Sequence, residues 1–144
     1  MSTMTVALRL QQDVRWKAEA GSGHSLIIDG PPEAGGEDAG FRPMELMLLG
    51  LGACMGLDML LMLRRMRQGV TSYEPRLTGE RAEDPPAVFT AVTLEHVITG
   101  RGILEASVKR ALGPAETKYY SASAMFSKTA RLTNIYRIEE AGAS

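Results

Sequence analysis

The chain has 144 residues, which fits one domain of ordinary size (residues 1–144), and 44% of its residues are hydrophobic, enough for a core. Its 16 Lys and Arg against 17 Asp and Glu give a net charge of -1, which argues against a nucleic-acid-binding domain built on phosphate contacts. One cysteine excludes an intrachain disulfide and a multi-cysteine metal site, and the two histidines lie far apart, so we expect no metal and no cofactor.

Apolar and polar residues alternate at the start of the chain, a pattern typical of half-buried β-strands. Three such runs are separated by short polar or glycine-containing breaks, at residues 6–10, 14–18 and 26–29. We therefore predict an antiparallel meander over residues 4–29.

The next segment, residues 30–42, is rich in Gly and Pro and is predicted to be a loop. Its length is unusual for a compact domain, where long loops often serve a site. Two interpretations follow, the wall of a site or a flexible surface connection, and the composition favours the second.

The strongest predicted element is a helix over residues 43–68. Pro43 suits the first helical turn, and the negative charge of Glu45 is favourable near the helix N-terminus. Gly69 follows as the predicted stop. Arg42 precedes Pro43, so no standard N-cap residue is present.

Between Leu46 and Leu57 this helix is apolar or small on every side, which is typical of a helix that is buried all round or that spans a membrane. Asp58 interrupts the apolar run before it reaches the roughly 20 residues that a span requires. We therefore predict no membrane segment and a helix wrapped by other elements, a second subunit among them. Since no basic run followed by an apolar core begins the chain, we also expect a cytoplasmic protein.

The remaining elements are read from the same periodicities. Two strands are predicted at residues 73–80 and 88–99. Two helices, separated by Gly113-Pro114, follow at residues 103–112 and 115–128, and a closing strand is predicted at residues 132–139. The predicted order is βββ–α–ββ–αα–β, and the segregation of strands from helices indicates the α+β class.

Cys54, in the middle of the long helix, is the first candidate for chemistry. Free cysteines are among the most buried residues, so a structural thiol is the simpler interpretation. Asp58 lies four residues further on, hence on the same side of the helix, and small neighbours leave room for another group. A reactive thiolate needs a positive neighbour. The candidates by residue type are Arg15, Arg64 and Lys118.

Four methionines recur at helical spacing along the same helix: Met55, Met59, Met62 and Met66. Core filling is the interpretation that this spacing favours. The alternative is an adaptable apolar surface for varied organic substrates.

These segments resemble the OsmC/Ohr family. Within the long helix the likeness covers residues 43–46, 48–58 and 63–68. It continues in the next hairpin at residues 79–83 and 88–90, in the second helix at residues 118–125 and in the last strand at residues 129–136. It is closest to the OsmC-like branch and covers most of the chain after about residue 20, in the element order given above.

The resemblance implies an intertwined homodimer in which the two central helices pack between sheets from both chains. It also implies reduction of organic hydroperoxides by a peroxidatic cysteine, a position that Cys54 matches, with a sulfenic acid as the intermediate. In the family a second cysteine on the later helix then closes a disulfide, which a dithiol reduces.

The chain departs from that pattern at three places. Tyr120 occupies the position of the second cysteine, residues 21–25 contain no arginine where the hydroperoxide branch has its catalytic one, and Glu45 lies one position from the family's glutamate. The resemblance therefore implies a one-cysteine thiol peroxidase of oxidative stress defence that uses an external thiol or dithiol. Its pocket candidates are Glu45, Asp58, Tyr120 and Met55. The alternatives are a non-catalytic protein that binds a small apolar ligand and a domain with an inert buried thiol.

Overall fold

The computed structural model describes residues 2–116 and 120–142, in two compact units, residues 1–47 and 48–144. The elements follow the predicted order βββ–α–ββ–αα–β, with one added 3-10 turn at Pro32–Ala34. The α+β class is confirmed. That all 144 residues form a single domain stays a prediction.

The first unit contains the predicted antiparallel meander. β1 (Val6–Gln12), β2 (Arg15–Ala20) and β3 (Ser25–Ile28) form a three-stranded sheet in that order. Asp13 adopts a positive φ of 45° in the tight turn between β1 and β2, a conformation that Asp tolerates better than most residues. The alternation in the sequence therefore gave the right element type.

The loop after β3 is organised by one carboxylate. Asp29 is 2% exposed and accepts backbone N–H groups of Gly30, Glu37 and Ala39 at 2.8, 3.1 and 3.1 Å. Burial raises the pKa of this carboxyl, but the three N–H donors and the Arg15 guanidinium outweigh burial and hold the pKa below its ordinary value. These hydrogen bonds to Asp29 hold residues 30–42 next to the end of β3. The flexible connection that their composition favours is therefore not what the structure shows.

The central helix, α1 (Pro43–Arg65), begins at the predicted proline but ends three residues earlier than predicted. Arg67 takes a positive φ of 55° and makes the turn that was assigned to Gly69. Gly69 is instead the first residue of the next strand, β4 (Gly69–Arg81).

Only one side of α1 is buried within this chain. The buried residues are Leu51, Gly52, Met55, Gly56, Met59 and Leu63. Leu57 and Leu61, on another side, are 62% and 42% exposed. That other elements, a second subunit among them, cover the remaining sides of α1 stays a prediction. By length and composition alone α1 could cross a membrane, a weak indication because core helices of soluble proteins meet the same criterion.

The second unit packs α1 on a mixed sheet. β4 pairs antiparallel with β5 (Phe89–Arg101), and β5 pairs parallel with β6 (Arg131–Glu140). The parallel pair requires a crossover, which the helical segment between β5 and β6 provides. The core cluster of this unit joins the helix and the sheet, and consists of Met59, Leu63, Ile98, Val108, Ala111 and Leu112.

The two later helices differ from the prediction in their bounds. α2 (Glu105–Glu116) includes Gly113 and Pro114, which were predicted to end it. α3 (Ser121–Phe126) is shorter than the predicted helix over 115–128. Lys118 and Tyr119, which contribute to the family likeness, lie outside the described residues.

Gly100 on β5 offers a test of this packing. A Cβ at Gly100 would overlap the backbone carbonyl oxygen of Gly69, which cannot rotate away, so Gly100→Ala should lower the free energy of unfolding by about 2–3 kcal/mol. The control is Gly50→Ala in α1, whose Cβ would meet no atom within 4 Å. Its cost should stay below about 1 kcal/mol, because helix propensity improves. Urea unfolding at one protein concentration measures both, and an equal or reversed order would contradict this packing.

Candidate functional site

Cys54 is half-buried in α1, at the boundary between its covered and uncovered sides. It shares a face with Leu57, Asp58 and Leu61, because residues spaced by three, four and seven positions lie on one side of a helix. These four residues are called the outer face below. Within the described residues, neither the Cys54 thiol nor the Asp58 carboxylate forms a hydrogen bond or an ion pair.

Glu45 stabilises the start of α1. Its carboxylate accepts the backbone N–H of Arg42 at 2.7 Å, which supplies the N-terminal cap that the sequence seemed to lack. The Arg42 guanidinium in turn donates to both carboxylate oxygens of Asp38. Glu45 and Asp38 line a cavity of about 380 Å³ with Phe41. Glu45 therefore lines a cavity of the first unit, and its membership of a pocket with Cys54 stays a prediction.

Two methionines of α1 belong to the buried core of the second unit. Met55 and Met59 are fully buried, and the Tyr73 hydroxyl approaches the Met59 sulfur at 3.5 Å. The Tyr120 hydroxyl lies 3.9 Å from the Met62 sulfur. Core filling, the interpretation that their spacing favours, is confirmed for Met55 and Met59.

Tyr120 itself is buried just before α3. Its described contact is with Met62, eight residues and about 12 Å along the helix axis from Cys54. The structure therefore brings Tyr120 to the methionines. A contact between Tyr120 and Cys54 stays a prediction.

Of the three cation candidates for the thiol, Arg15 already has partners. Its guanidinium bonds Glu37 at 3.1 Å and lies 3.5 Å from the Asp29 carboxylate. Arg64 is exposed on the last turn of α1, and Lys118 lies outside the described residues. The positive neighbour that an activated thiolate needs therefore stays a prediction.

A buried polar cluster in the second unit was missed from the sequence. His96 is 0% exposed; its Nδ1 lies 2.6 Å from the Tyr73 hydroxyl, and its Nε2 lies 2.9 Å from the Asn134 Oδ1. Because that amide oxygen can only accept, Nε2 carries the proton and Tyr73 donates to Nδ1. Burial lowers the pKa of His96, and burial together with the nearby Tyr120 raises the pKa of Tyr73. Both side chains are therefore neutral near pH 7.

The signal that could have revealed this cluster is the position of His96. It alternates in step with Val92, Leu94 and Ile98, so the period of a strand places all four on one face of β5. A histidine in the middle of an apolar strand face must find hydrogen-bond partners once it is buried. The partners come from the flanking strands β4 and β6.

Comparison with known proteins agrees with this arrangement of helices and two sheets. Residues 35–133 match the family model described as OsmC-like protein. Protein YhfA of Escherichia coli K12 is 33% identical over 135 residues, covering 90% of this chain and 98% of YhfA. The chain belongs to the OsmC/Ohr family.

Solved structures share this fold over nearly their whole length. A hypothetical protein from Aquifex aeolicus VF5 aligns with a TM-score of 0.84 at 25% identity, covering 97% of this chain and 98% of the other. The organic hydroperoxide resistance protein OsmC from Legionella pneumophila aligns with a TM-score of 0.70 at 16% identity, covering 94% and 97%. Two solved structures with this fold, from Legionella pneumophila and Bacillus subtilis, are named organic hydroperoxide resistance proteins.

The buried histidine gives the protein a predictable acid sensitivity. Because the folded pKa of His96 is depressed, the unfolded chain binds a proton below about pH 6.5 that the folded chain does not, so stability falls as the pH falls. His96→Gln should remove the contribution of this histidine to the change of unfolding free energy with pH, a contribution of at most about 1.4 kcal/mol per pH unit.

Urea unfolding between about pH 7.5 and about pH 5.5 measures these slopes. His24→Gln is the matched control: this histidine is exposed in the turn before β3, and its replacement should leave the wild-type slope unchanged. Identical slopes for wild type and His96→Gln would contradict the prediction.

Proposed function

We propose that this protein is a one-cysteine thiol peroxidase that reduces small organic hydroperoxides through Cys54, with an external thiol as the reductant. The observation that carries the proposal is the half-buried position of the chain's single thiol on the central helix of an OsmC/Ohr fold. A thiol at this depth can be reached by a small oxidant and is still shielded from most other reactants.

The proposed reaction has three steps. The Cys54 thiolate attacks the terminal oxygen of the hydroperoxide; the O–O bond breaks, the alkoxide takes up a proton and leaves as the alcohol, and sulfur is oxidised to the sulfenic acid. An external thiol displaces water and forms a mixed disulfide with Cys54. A second thiol, or the second thiol of a dithiol, then releases Cys54 and leaves as a disulfide.

The need for an external reductant follows from the composition of the chain, because Cys54 is its only cysteine. The resemblance implies that Tyr120 occupies the position where the family has its second cysteine. A phenol cannot resolve a sulfenic acid by disulfide formation, so the second sulfur has to come from another molecule.

The proposal includes a homodimer. Leu57 and Leu61 expose apolar surface on the two turns that follow the half-buried thiol, and a contiguous apolar helix face is typical of a subunit contact. Packing of a second copy on this outer face would place Cys54 at the edge of the contact. We also propose a cytoplasmic location, where thiol reductants are available.

The catalytic claim is tested by peroxide consumption. With cumene hydroperoxide and dihydrolipoamide or dithiothreitol, the wild type should turn over, and Cys54→Ser should fall to the rate without protein, because the attacking sulfur is gone. Mass spectrometry of peroxide-treated protein should detect sulfenic acid trapped on Cys54. Equal peroxide loss with wild type and Cys54→Ser would refute the peroxidase.

The subunit claim has its own test, by light scattering after gel filtration. Wild type should have about twice the chain mass, and Leu57→Glu should shift it to the monomer, because a buried unpaired carboxylate is costly. Leu104→Glu is the matched control, since Leu104 is 61% exposed but lies before α2. A monomeric wild type, or dissociation by the control alone, would overturn the dimer.

A second candidate function has one observation in its favour. The first unit contains an apolar cavity of about 310 Å³ on its sheet, lined by residues that include Val6, Leu8, Leu26, Ile28 and Leu46. Such a cavity suits a non-catalytic protein that binds a small apolar molecule. That alternative predicts the absence of turnover in the peroxide assay together with saturable binding of an apolar probe.

A further inference from the structure

Tyr73 is hydrogen-bonded to a base inside the core of the second unit. Its hydroxyl lies 2.6 Å from the His96 Nδ1, and the centroids of the two rings are 5.9 Å apart. The proton on Nε2 is donated to Asn134, so Nδ1 presents a free electron pair to the phenol. A contact this short leaves no space for water between the two groups. The pair is therefore arranged for direct transfer of the phenolic proton to the imidazole.

In the resting protein the phenol keeps its proton. Burial and the nearby Tyr120 raise the pKa of Tyr73, and burial lowers the pKa of His96, so a phenolate beside an imidazolium is disfavoured here. Loss of one electron reverses this order, because the radical cation of a phenol is a strong acid. The proton then moves to His96 as the electron leaves, and the costly buried radical cation is avoided. A buried tyrosine with such a base is therefore oxidised more readily than one without it.

Oxidisable side chains continue on another side of the Tyr73 hydroxyl. The Met59 sulfur lies 3.5 Å from it, and Met62 follows Met59 at a spacing that places both on one side of α1. The Met62 sulfur in turn lies 3.9 Å from the Tyr120 hydroxyl. Thioether sulfur is polarizable and interacts favourably with aromatic rings. Two phenols and two thioethers thus form one group of electron-rich side chains, to which His96 adds a proton acceptor.

We propose that Tyr73 is a one-electron redox site that quenches organic alkoxyl radicals, the products of one-electron cleavage of hydroperoxides, with His96 as the acceptor of the phenolic proton. The alkoxyl radical takes one electron from Tyr73 and becomes an alkoxide, which takes up a proton from solvent and leaves as the alcohol. Tyr73 becomes a neutral tyrosyl radical, and His96 becomes an imidazolium.

The site is restored by a thiolate reductant. The thiolate gives one electron to the Tyr73 radical and becomes a thiyl radical, while His96 returns its proton to the phenol. Two thiyl radicals then combine to a disulfide. Electron transfer does not require contact between the oxidant and the phenol, which suits a side chain that is partly buried against the core. No atom of Cys54 takes part, so the proposal does not rest on the peroxidase.

The test uses full-length Cys54→Ser protein, so that the thiol contributes nothing to the signal. Photogenerated tris(bipyridine)ruthenium(III) serves as the one-electron oxidant, and electron paramagnetic resonance detects the radical in samples frozen after the flash. A long-lived tyrosyl signal should appear and should be lost when Tyr73→Phe is added. Tyr136→Phe is the matched control and should keep the signal, because Tyr136 donates to the exposed Glu105 carboxylate instead of an imidazole. Survival of the signal in Tyr73→Phe, or its loss in Tyr136→Phe alone, would overturn the proposal.

His96→Gln separates proton acceptance from a structural role. Glutamine can accept a hydrogen bond from Tyr73 but is too weak a base to take its proton, so oxidation of Tyr73 should become about tenfold slower, which is about 1.4 kcal/mol in activation free energy. An unchanged rate in the folded variant would contradict the role of His96. A second measurement needs neither variant: in D₂O, double-resonance spectra of the radical should show coupling to one exchangeable deuteron, held on the His96 Nδ1. Absence of this coupling would also overturn the proposal, whatever the outcome of the peroxide assay.

Discussion

The close seating of α1 on its own sheet is the constraint on which the second unit depends. Gly52 and Gly56 remove the side chains that would hold the helix away from Leu77 and Pro75. Met55 and Met59 can then be fully buried against the sheet. Each buried side chain of this size contributes about 1.5–3 kcal/mol, which exceeds the roughly 1 kcal/mol that each glycine costs in helix propensity. The glycines are therefore tolerated because of what they allow to pack.

The same seating leaves α1 with two unlike apolar sides. The sheet-facing side is covered by the chain itself, whereas Leu57 and Leu61 on the outer face stay exposed. Cys54 lies on that outer face, so its surroundings depend on what covers the helix. The Tyr73 hydroxyl, which is hydrogen-bonded to the buried His96, contacts Met59 on the sheet-facing side of α1.

Local patterns in the sequence were sufficient for most of the fold. Alternation predicted β1 to β3 because one face of each strand differs from the other, and the family likeness supported the later elements. Gly113 and Pro114 misled the prediction, because both commonly end helices, yet tertiary packing of Ala111 and Leu112 continues α2 through them. The reverse happened at Gly69, where Arg67 makes the turn and the glycine starts a strand.

The candidate site shows where such patterns stop being informative. Cys54 and its neighbours were found because helical spacing places residues on a face without knowledge of the rest of the fold. The cluster of Tyr73, His96 and Asn134 depends instead on strand register: β4 pairs antiparallel with β5 and β6 pairs parallel, which brings side chains from three strands to one face. Periodicity can assign His96 to the buried face, but not its partners. Since a buried imidazole without them would cost about 1–3 kcal/mol, the register that supplies them is itself favoured by this cluster.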